Sequence, residues 1–250
     1  MTNAEERRNW KCTLLAILLV LPACGDREGV VPAIEAESTF TEVAPVKLPA
    51  GLDLKQARSG EVYQSVCAAC HGQKGEGNTA LKSPSIGGMP SWYILEQTAK
   101  FKSGLRGAHP EDTTGALMRA VAVGLSDEQL AEAATFAETL PEGKTEKGGN
   151  SKSVDRGRYI FANECMACHR FTGRGEVVFH SAPLTTLNRE YLVDQLKKYR
   201  DGWRGSEVSD FYGQKMVKIA ETLSDQSIED VANYIGALAH GDDPRPAMEY

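Results

Sequence analysis

Two short stretches of the chain carry the same reactive residues at the same spacing. Cys67 and Cys70 are followed at once by His71, and Cys165 and Cys168 are followed at once by His169. Two thiols three residues apart project from one helical turn, so they can reach the two vinyl groups of one porphyrin. The adjacent histidine then faces the iron and supplies its proximal nitrogen; Cys-x-x-Cys-His is the attachment sequence for c-type haem. A closed zinc site needs four ligands, and each stretch offers two cysteines and one histidine that cannot easily share a metal. A thioredoxin-like redox pair needs a βαβ setting, and no alternating strand pattern is present. Six cysteines could form three disulfides, but that framework belongs to shorter, loop-rich chains. The expected cofactors are therefore two covalently bound haem c groups.

The other axial position calls for a soft ligand. Met118 and Met216 each lie 47 residues after their histidine and just before a Leu-Ser-Asp sequence. A lone methionine is usually a core filler; two at one distance from two haem motifs read as iron ligands, and a thioether opposite imidazole raises the potential. Met89 is the competitor at the first site, although its repeat partner is Leu187. A proximal histidine needs an acceptor for its Nδ1 proton, and the carbonyls of Pro84 and Pro183 stand 13 and 14 residues downstream. Arg106 and Arg204 either donate to haem propionates or are solvated arginines beside a Gly-rich turn. His109, His180 and His240 have no repeat equivalent and read as surface or loop residues.

These groups must be positioned twice, and the chain is visibly double. Residue n matches residue n + 98 at Tyr93 and Tyr191, Gln97 and Gln195, Gly104 and Gly202, Arg106 and Arg204, Met118 and Met216, and through Leu125-Ser-Asp and Leu223-Ser-Asp. One register kept across both motifs means two copies of one domain, placed at 52–140 and 154–240. Residues 141–153 lack large apolar side chains and form a linker, and 241–250 form a polar tail. Apolar residues at i, i+3 and i+4 over 93–101 and 191–199 predict helices. Ser126 and Ser224 predict helix starts, the first with Gln129 completing a capping box and the second without it. The helix before the first motif is expected over 54–67, with Gly60 and Tyr63 on one face. Tyr63, Phe161, Phe136 and Tyr234 are expected where first and last helices meet. Each domain is all-α.

The first residues read as an address. Arg7, Arg8 and Lys11 precede an apolar run from Leu14 to Leu21, too short for the ~20 residues of a membrane-spanning helix. Leu21-Pro22-Ala23-Cys24 resembles the lipobox of bacterial lipoproteins, which implies a signal peptide over 1–23 and a lipidated Cys24; an ordinary signal peptide would leave Cys24 a free thiol. Residues 24–51 would then form the anchor and tether. A formal charge of −6 over 250 residues argues against nucleic-acid binding.

Taken together, Cys67-Ala-Ala-Cys-His-Gly72, Pro84-Ser-Ile-Gly87, Tyr93-Ile-Leu-Glu-Gln97 and Met118 before Leu-Ser-Asp, with their second-half counterparts Cys165-Met-Ala-Cys-His169, Tyr191-Leu-Val-Asp-Gln195 and Met216, resemble the cytochrome c4 family. That resemblance implies two tandem class I cytochrome c domains related by pseudo-twofold symmetry. It also implies an electron carrier of the bacterial periplasm, running from a quinol-oxidising complex towards a terminal oxidase, without a small-molecule substrate. The competing expectations are the cytochrome subunit of a periplasmic dehydrogenase and a dihaem peroxidase. The peroxidase needs a displaceable iron ligand, against which the duplicated methionines argue.

Overall fold

The structure, a computed structural model, describes residues 59–242. The expected leader, Cys24, the tether, residues 52–58 and the last eight residues lie outside the described part. Among the described residues there is no sheet, only the isolated bridges Asn78–Ser83 and Glu176–Ser181, themselves 98 apart. No helix there is long and apolar enough to cross a membrane.

The helices repeat in register. The first domain contains α1 (Ala68–His71), entered through a π-turn at Tyr63–Cys67, then α2 (Ser91–Ser103), α3 (Thr113–Gly124) and α4 (Asp127–Thr139). The second contains α5 (Ser151–Ile160), a π-turn at Phe161–Cys165, α6 (Met166–His169), α7 (Arg189–Arg200), α8 (Phe211–Ala220) and α9 (Asp225–Ala239). Within the first domain the helical run starts at Glu61, and Gly60 precedes it at φ +70°, so the expected helix is shorter than the pattern suggested. In the second, Asn150 Oδ1 accepts from Ser153 N at 3.0 Å, and Ser151–Ser153, expected as linker, already form the first turn of α5.

Capping follows the sequence closely. Ser126 Oγ accepts from Gln129 N while Gln129 Oε1 accepts from Ser126 N. Ser224 Oγ accepts from Ser227 N, and the short Ser227 side chain returns no bond to the backbone. Where first and last helices cross, the rings of Tyr63 and Phe136 lie 5.4 Å apart, and those of Phe161 and Tyr234 5.3 Å. Helix α5 approaches α9 so closely that a Cβ on Gly157 would stand 1.9 Å from the Asp230 carbonyl oxygen. Only glycine permits that crossing.

The two domains share a core. Met89 and Tyr93 of the first pack with Phe161, Leu187, Leu192, Val231, Tyr234 and Ile235 of the second. Met89 and its repeat partner Leu187 are both buried in this cluster.

Candidate functional site

Each attachment turn is built in one piece. The π-turn places Ala68 N on the Tyr63 carbonyl, and Met166 N on that of Phe161; such wide turns are frequent at functional sites. Cys67 ends the π-turn and caps the short helix that carries Cys70 and His71, and Cys165 does the same for Cys168 and His169. No disulfide joins these four cysteines. Burial pushes the Cys67 thiol up to about 11 and that of Cys165 up to about 12, so both are protonated at neutral pH. Among the described residues no group of His, Cys, Asp and Glu is arranged to hold a bare metal ion.

Both histidines are buried, and burial holds each imidazole below its usual range despite a backbone hydrogen bond. His71 Nδ1 lies 2.9 Å from the Pro84 carbonyl and His169 Nδ1 lies 3.0 Å from that of Ala182. A carbonyl can only accept, so Nδ1 carries the proton and Nε2 keeps its lone pair for a metal. The acceptor expected at Pro183 is thus corrected to Ala182. The offset of 98 carries Pro84 onto Ala182, and what matters is the direction of a backbone carbonyl, which does not require proline. The loops agree elsewhere: Ser83 Oγ donates to the Cys70 carbonyl and Ser181 Oγ to that of Cys168, each at 2.7 Å. Arg170 occupies the position of Gly72, with φ +63° beside +82°. It is tied by Glu176 at 2.7 Å.

Met118 lies half-buried in α3 and Met216 half-buried in α8, at equivalent positions. The caps of these two helices are anchored in the opposite domain. Asp112 Oδ1 accepts from Gly115 N at the start of α3 and pairs with Lys198 Nζ of the second domain at 2.8 Å. Asp210 Oδ1 accepts from Gly213 N at the start of α8 and pairs with Lys100 Nζ of the first at 3.0 Å. Reciprocal contacts of this kind are what a twofold axis produces.

Arg106 and Arg204 stand at the centre of this interface. Arg106 donates to Gln97 Oε1 at 3.1 Å, to Gln195 Oε1 at 2.9 Å and to the Tyr191 hydroxyl at 2.5 Å. Arg204 donates to Gln195 Oε1 at 2.7 Å and to Gln97 Oε1 at 2.8 Å. The result is a closed ring of two arginines and two glutamines. Burial would raise the Tyr191 hydroxyl, but the two guanidinium groups hold it below its usual range. Both arginines are buried, which corrects the reading of solvated side chains. Among the described residues their hydrogen-bond partners are amide oxygens and phenols, with no carboxylate.

His180 lies in a turn, as expected of a loop residue, and is half-buried there. Its Nδ1 lies 2.7 Å from Glu96 Oε2 across the interface, and its ring stacks on Tyr212 at 4.4 Å. His109 is half-buried and stacks on Trp203 at 5.3 Å. His240 is exposed, as a surface residue should be.

The Cytochrome c family profile matches residues 57–141 and again residues 154–239. The chain belongs to the cytochrome c family. Within it the chain is a c4-type cytochrome. It is 27% identical to cytochrome c4 of Azotobacter vinelandii over 196 residues, which span 73% of this chain and 89% of that one. It is 31% identical over 177 residues to a protein of Stutzerimonas stutzeri (strain A1501) named thiosulfate dehydrogenase electron acceptor, covering 67% of this chain and 76% of that relative. The crystal structure of reduced recombinant cytochrome c4 from Pseudomonas stutzeri superposes with a TM-score of 0.59 at 26% identity, over 72% of this chain and 97% of that one. The cytochrome is dihaem, with one haem c for each domain.

The residues present fit that group. Each site brings two cysteines three residues apart next to a buried histidine whose Nδ1 is bonded to a backbone carbonyl, with Nε2 free of that bond. Two buried guanidinium groups with no carboxylate partner among the described residues carry positive charge that an anionic group could balance. Sequence reasoning missed Lys100, Lys198, Asp112 and Asp210. A signal was available, because both pairs are identical at the offset of 98. Only the interface, however, reveals that each lysine serves the other domain.

Proposed function

We propose that this c4-type electron carrier works as a periplasmic shuttle between a quinol-oxidising complex and a terminal oxidase, with His71 and Met118 as axial ligands in the first domain and His169 and Met216 in the second. The observation that carries the reading is the equivalence of Met118 and Met216. Both stand at one position on helices whose caps are tied across one interface. A haem held at each site supplies a one-electron ferric–ferrous couple.

The protein's own part is to keep each site rigid and closed. Cys67, Cys70, Cys165 and Cys168 hold the macrocycle by thioether bonds. The Nδ1 bonds of His71 and His169 fix ring orientation. Met118 and Met216 would complete the ligand set at each site and leave no open position for oxygen or peroxide, which favours a carrier over a peroxidase. Arg106 and Arg204 balance propionate charge between the domains, and Cys24 tethers the carrier to a membrane through lipid.

A second reading is favoured by the relative named as a thiosulfate dehydrogenase electron acceptor: the donor is a periplasmic dehydrogenase, and the same two sites receive its electrons. Redox titration of the purified, haem-loaded protein with optical spectra tests the core of the proposal. Two low-spin haems, each with the weak far-red methionine–iron band, are expected. A high-spin haem that turns over peroxide overturns the carrier reading. Reduction rates with the two classes of donor separate the partners.

A further inference from the structure

The two proximal histidines lean on peptide groups that differ in one respect. His71 donates to the carbonyl of the Pro84–Ser85 peptide, and His169 to the carbonyl of the Ala182–Pro183 peptide. A peptide group is a rigid plane, so whatever holds its N–H also aims its C=O. Ser85 has an N–H, which donates to Asn188 Oδ1 at 2.5 Å, and Asn188 belongs to the second domain. Pro183 has none.

Asn188 is built into that position. It is buried, and its Nδ2 donates to the Glu76 carbonyl at 3.2 Å, so one side chain staples both strands of the loop around His71. Ser85 Oγ adds a bond to the Thr186 carbonyl of the second domain. Room for the amide comes from Gly77, at φ +82°: a Cβ there would lie 2.5 Å from Asn188 Oδ1 and 2.6 Å from Ser85 N. At the equivalent Gly175 the atoms in the way belong to Ser181 and Ala182 of the same loop. No reciprocal staple exists, because the residue at the Asn188 position in the first domain is Pro90. The second domain's loop is instead held by the linker, where the single Thr145 hydroxyl proton is shared between the carbonyls of Leu184 and Leu187, 2.9 and 2.7 Å from Oγ1. Those bonds do not touch the Ala182–Pro183 peptide.

We propose that Asn188 is a positioning residue for the first haem: by accepting the Ser85 N–H it aims and polarises the Pro84 carbonyl, strengthens the His71 Nδ1–H bond, and lowers the potential of that haem alone. The inference rests on the reading of His71 as an iron ligand. The physical chain is short. A hydrogen bond donated by an amide makes its own carbonyl a better acceptor. A stronger acceptor on Nδ1–H makes the imidazole more basic, and a more basic ligand stabilises ferric iron. The second haem lacks this device, so part of any difference in potential between two near-identical sites is set by docking of the second domain on the first.

The experiment uses the full haem-loaded chain and measures two things. One is the midpoint of each haem, assigned by NMR; the other is the solvent-exchange rate of the histidine Nδ1 protons in the ferrous protein. Asn188→Ala is expected to favour reduction of the first haem by about tenfold, ~59 mV for one electron. It should speed exchange at His71 and leave His169 and the second haem unmoved. Asn188→Asp combined with Glu146→Gln keeps an acceptor on Ser85 N–H, because the substituted residue 146, now an amide, can donate to the new carboxylate where the native amide met Glu146 at 3.4 Å. That pair should restore both readouts. Ser85→Ala removes the hydroxyl bond but keeps the N–H, and should leave the first potential near that of the wild type. The inference is overturned if Asn188→Ala shifts both haems alike or neither, or if the rescue pair behaves like the alanine variant. A wild-type spectrum without a histidine-ligated first haem overturns the reading of function on which the inference stands.

Discussion

The first domain's flank of the interface and the second domain's flank hold the same charges in unequal ways. On one side Lys198 is buried and bridges Asp112 and Asp194, both at 2.8 Å, with a further bond to Thr114 Oγ1 at 2.7 Å. On the other, Lys100 bridges Asp210 and Glu96 at 3.0 Å and is more accessible. The outer partner of the carboxylate differs too. Lys82 sits 3.8 Å from Asp194 with most of its side chain in water, whereas His180 meets Glu96 at 2.7 Å beneath Tyr212. The two flanks are built on one repeat but differ in where they are exposed, at the outer Lys82 on one side and at the inner Lys100 on the other. Because Asp112 and Asp210 cap the methionine helices, the two flanks also differ in how those caps are held.

The sharpest break of the comparison lies at the methionines. Met118→Ala should abolish the far-red methionine–iron band for one haem and Met216→Ala for the other. Met89→Ala should leave both bands and cost about 2–5 kcal/mol of stability instead, as core truncations do. Absorption spectra with denaturant unfolding check all three, and loss of a band in the Met89 variant would reverse the assignment.

Next in size is the lysine pair. Lys198→Met leaves Asp112 and Asp194 without their buried cation and should cost about 3–5 kcal/mol. Lys100→Met should cost less, since Lys100 is itself more accessible than Lys198 and Glu96 keeps its contact with His180. Equal losses in urea unfolding would show that the two flanks are energetically alike.

Acid tests the same flank through pH. Burial alone would raise the Asp112 carboxyl, but the Lys198 and Gly115 hydrogen bonds hold it below the usual carboxylate range. A depressed folded value means that its stabilisation is fully present above ~3.9, the unfolded value, and fades as pH falls through the lower folded value. Asp112→Asn should therefore flatten stability against pH below about 4, measured by urea midpoints.

The smallest effect is at the caps. Ser227→Gln should give α9 the reciprocal bond that Gln129 gives α4 and stabilise the second domain by about 0.5 kcal/mol. Gln129→Ala should lose a similar amount in the first. Thermal midpoints resolve both.

The attachment turns were legible because their chemistry is local: two cysteines and a histidine on one turn do not depend on where the chain goes next. The methionines were legible through repetition, and Ser126 and Ser224 through the short range of a cap. Pro183 misled because residue type was weighed above register, while the offset alone would have pointed to Ala182. Arg106 and Arg204 were visible as a pair, but their partners were not, since each reaches a glutamine in the opposite domain.

What the sequence determined by itself is therefore the unit: an all-α domain, made twice, with its haem attachment, its helix starts and its candidate ligands. All of these rest on interactions within a few residues or on one repeated spacing. What only the tertiary structure decided is how the two units differ. Asn188 meets Ser85, Lys198 meets Asp112 and His180 meets Glu96 only after the domains have docked. Contacts between residues so far apart in the chain are set by the shared packing of Met89, Tyr93, Leu187 and Leu192, and no local pattern encodes that geometry.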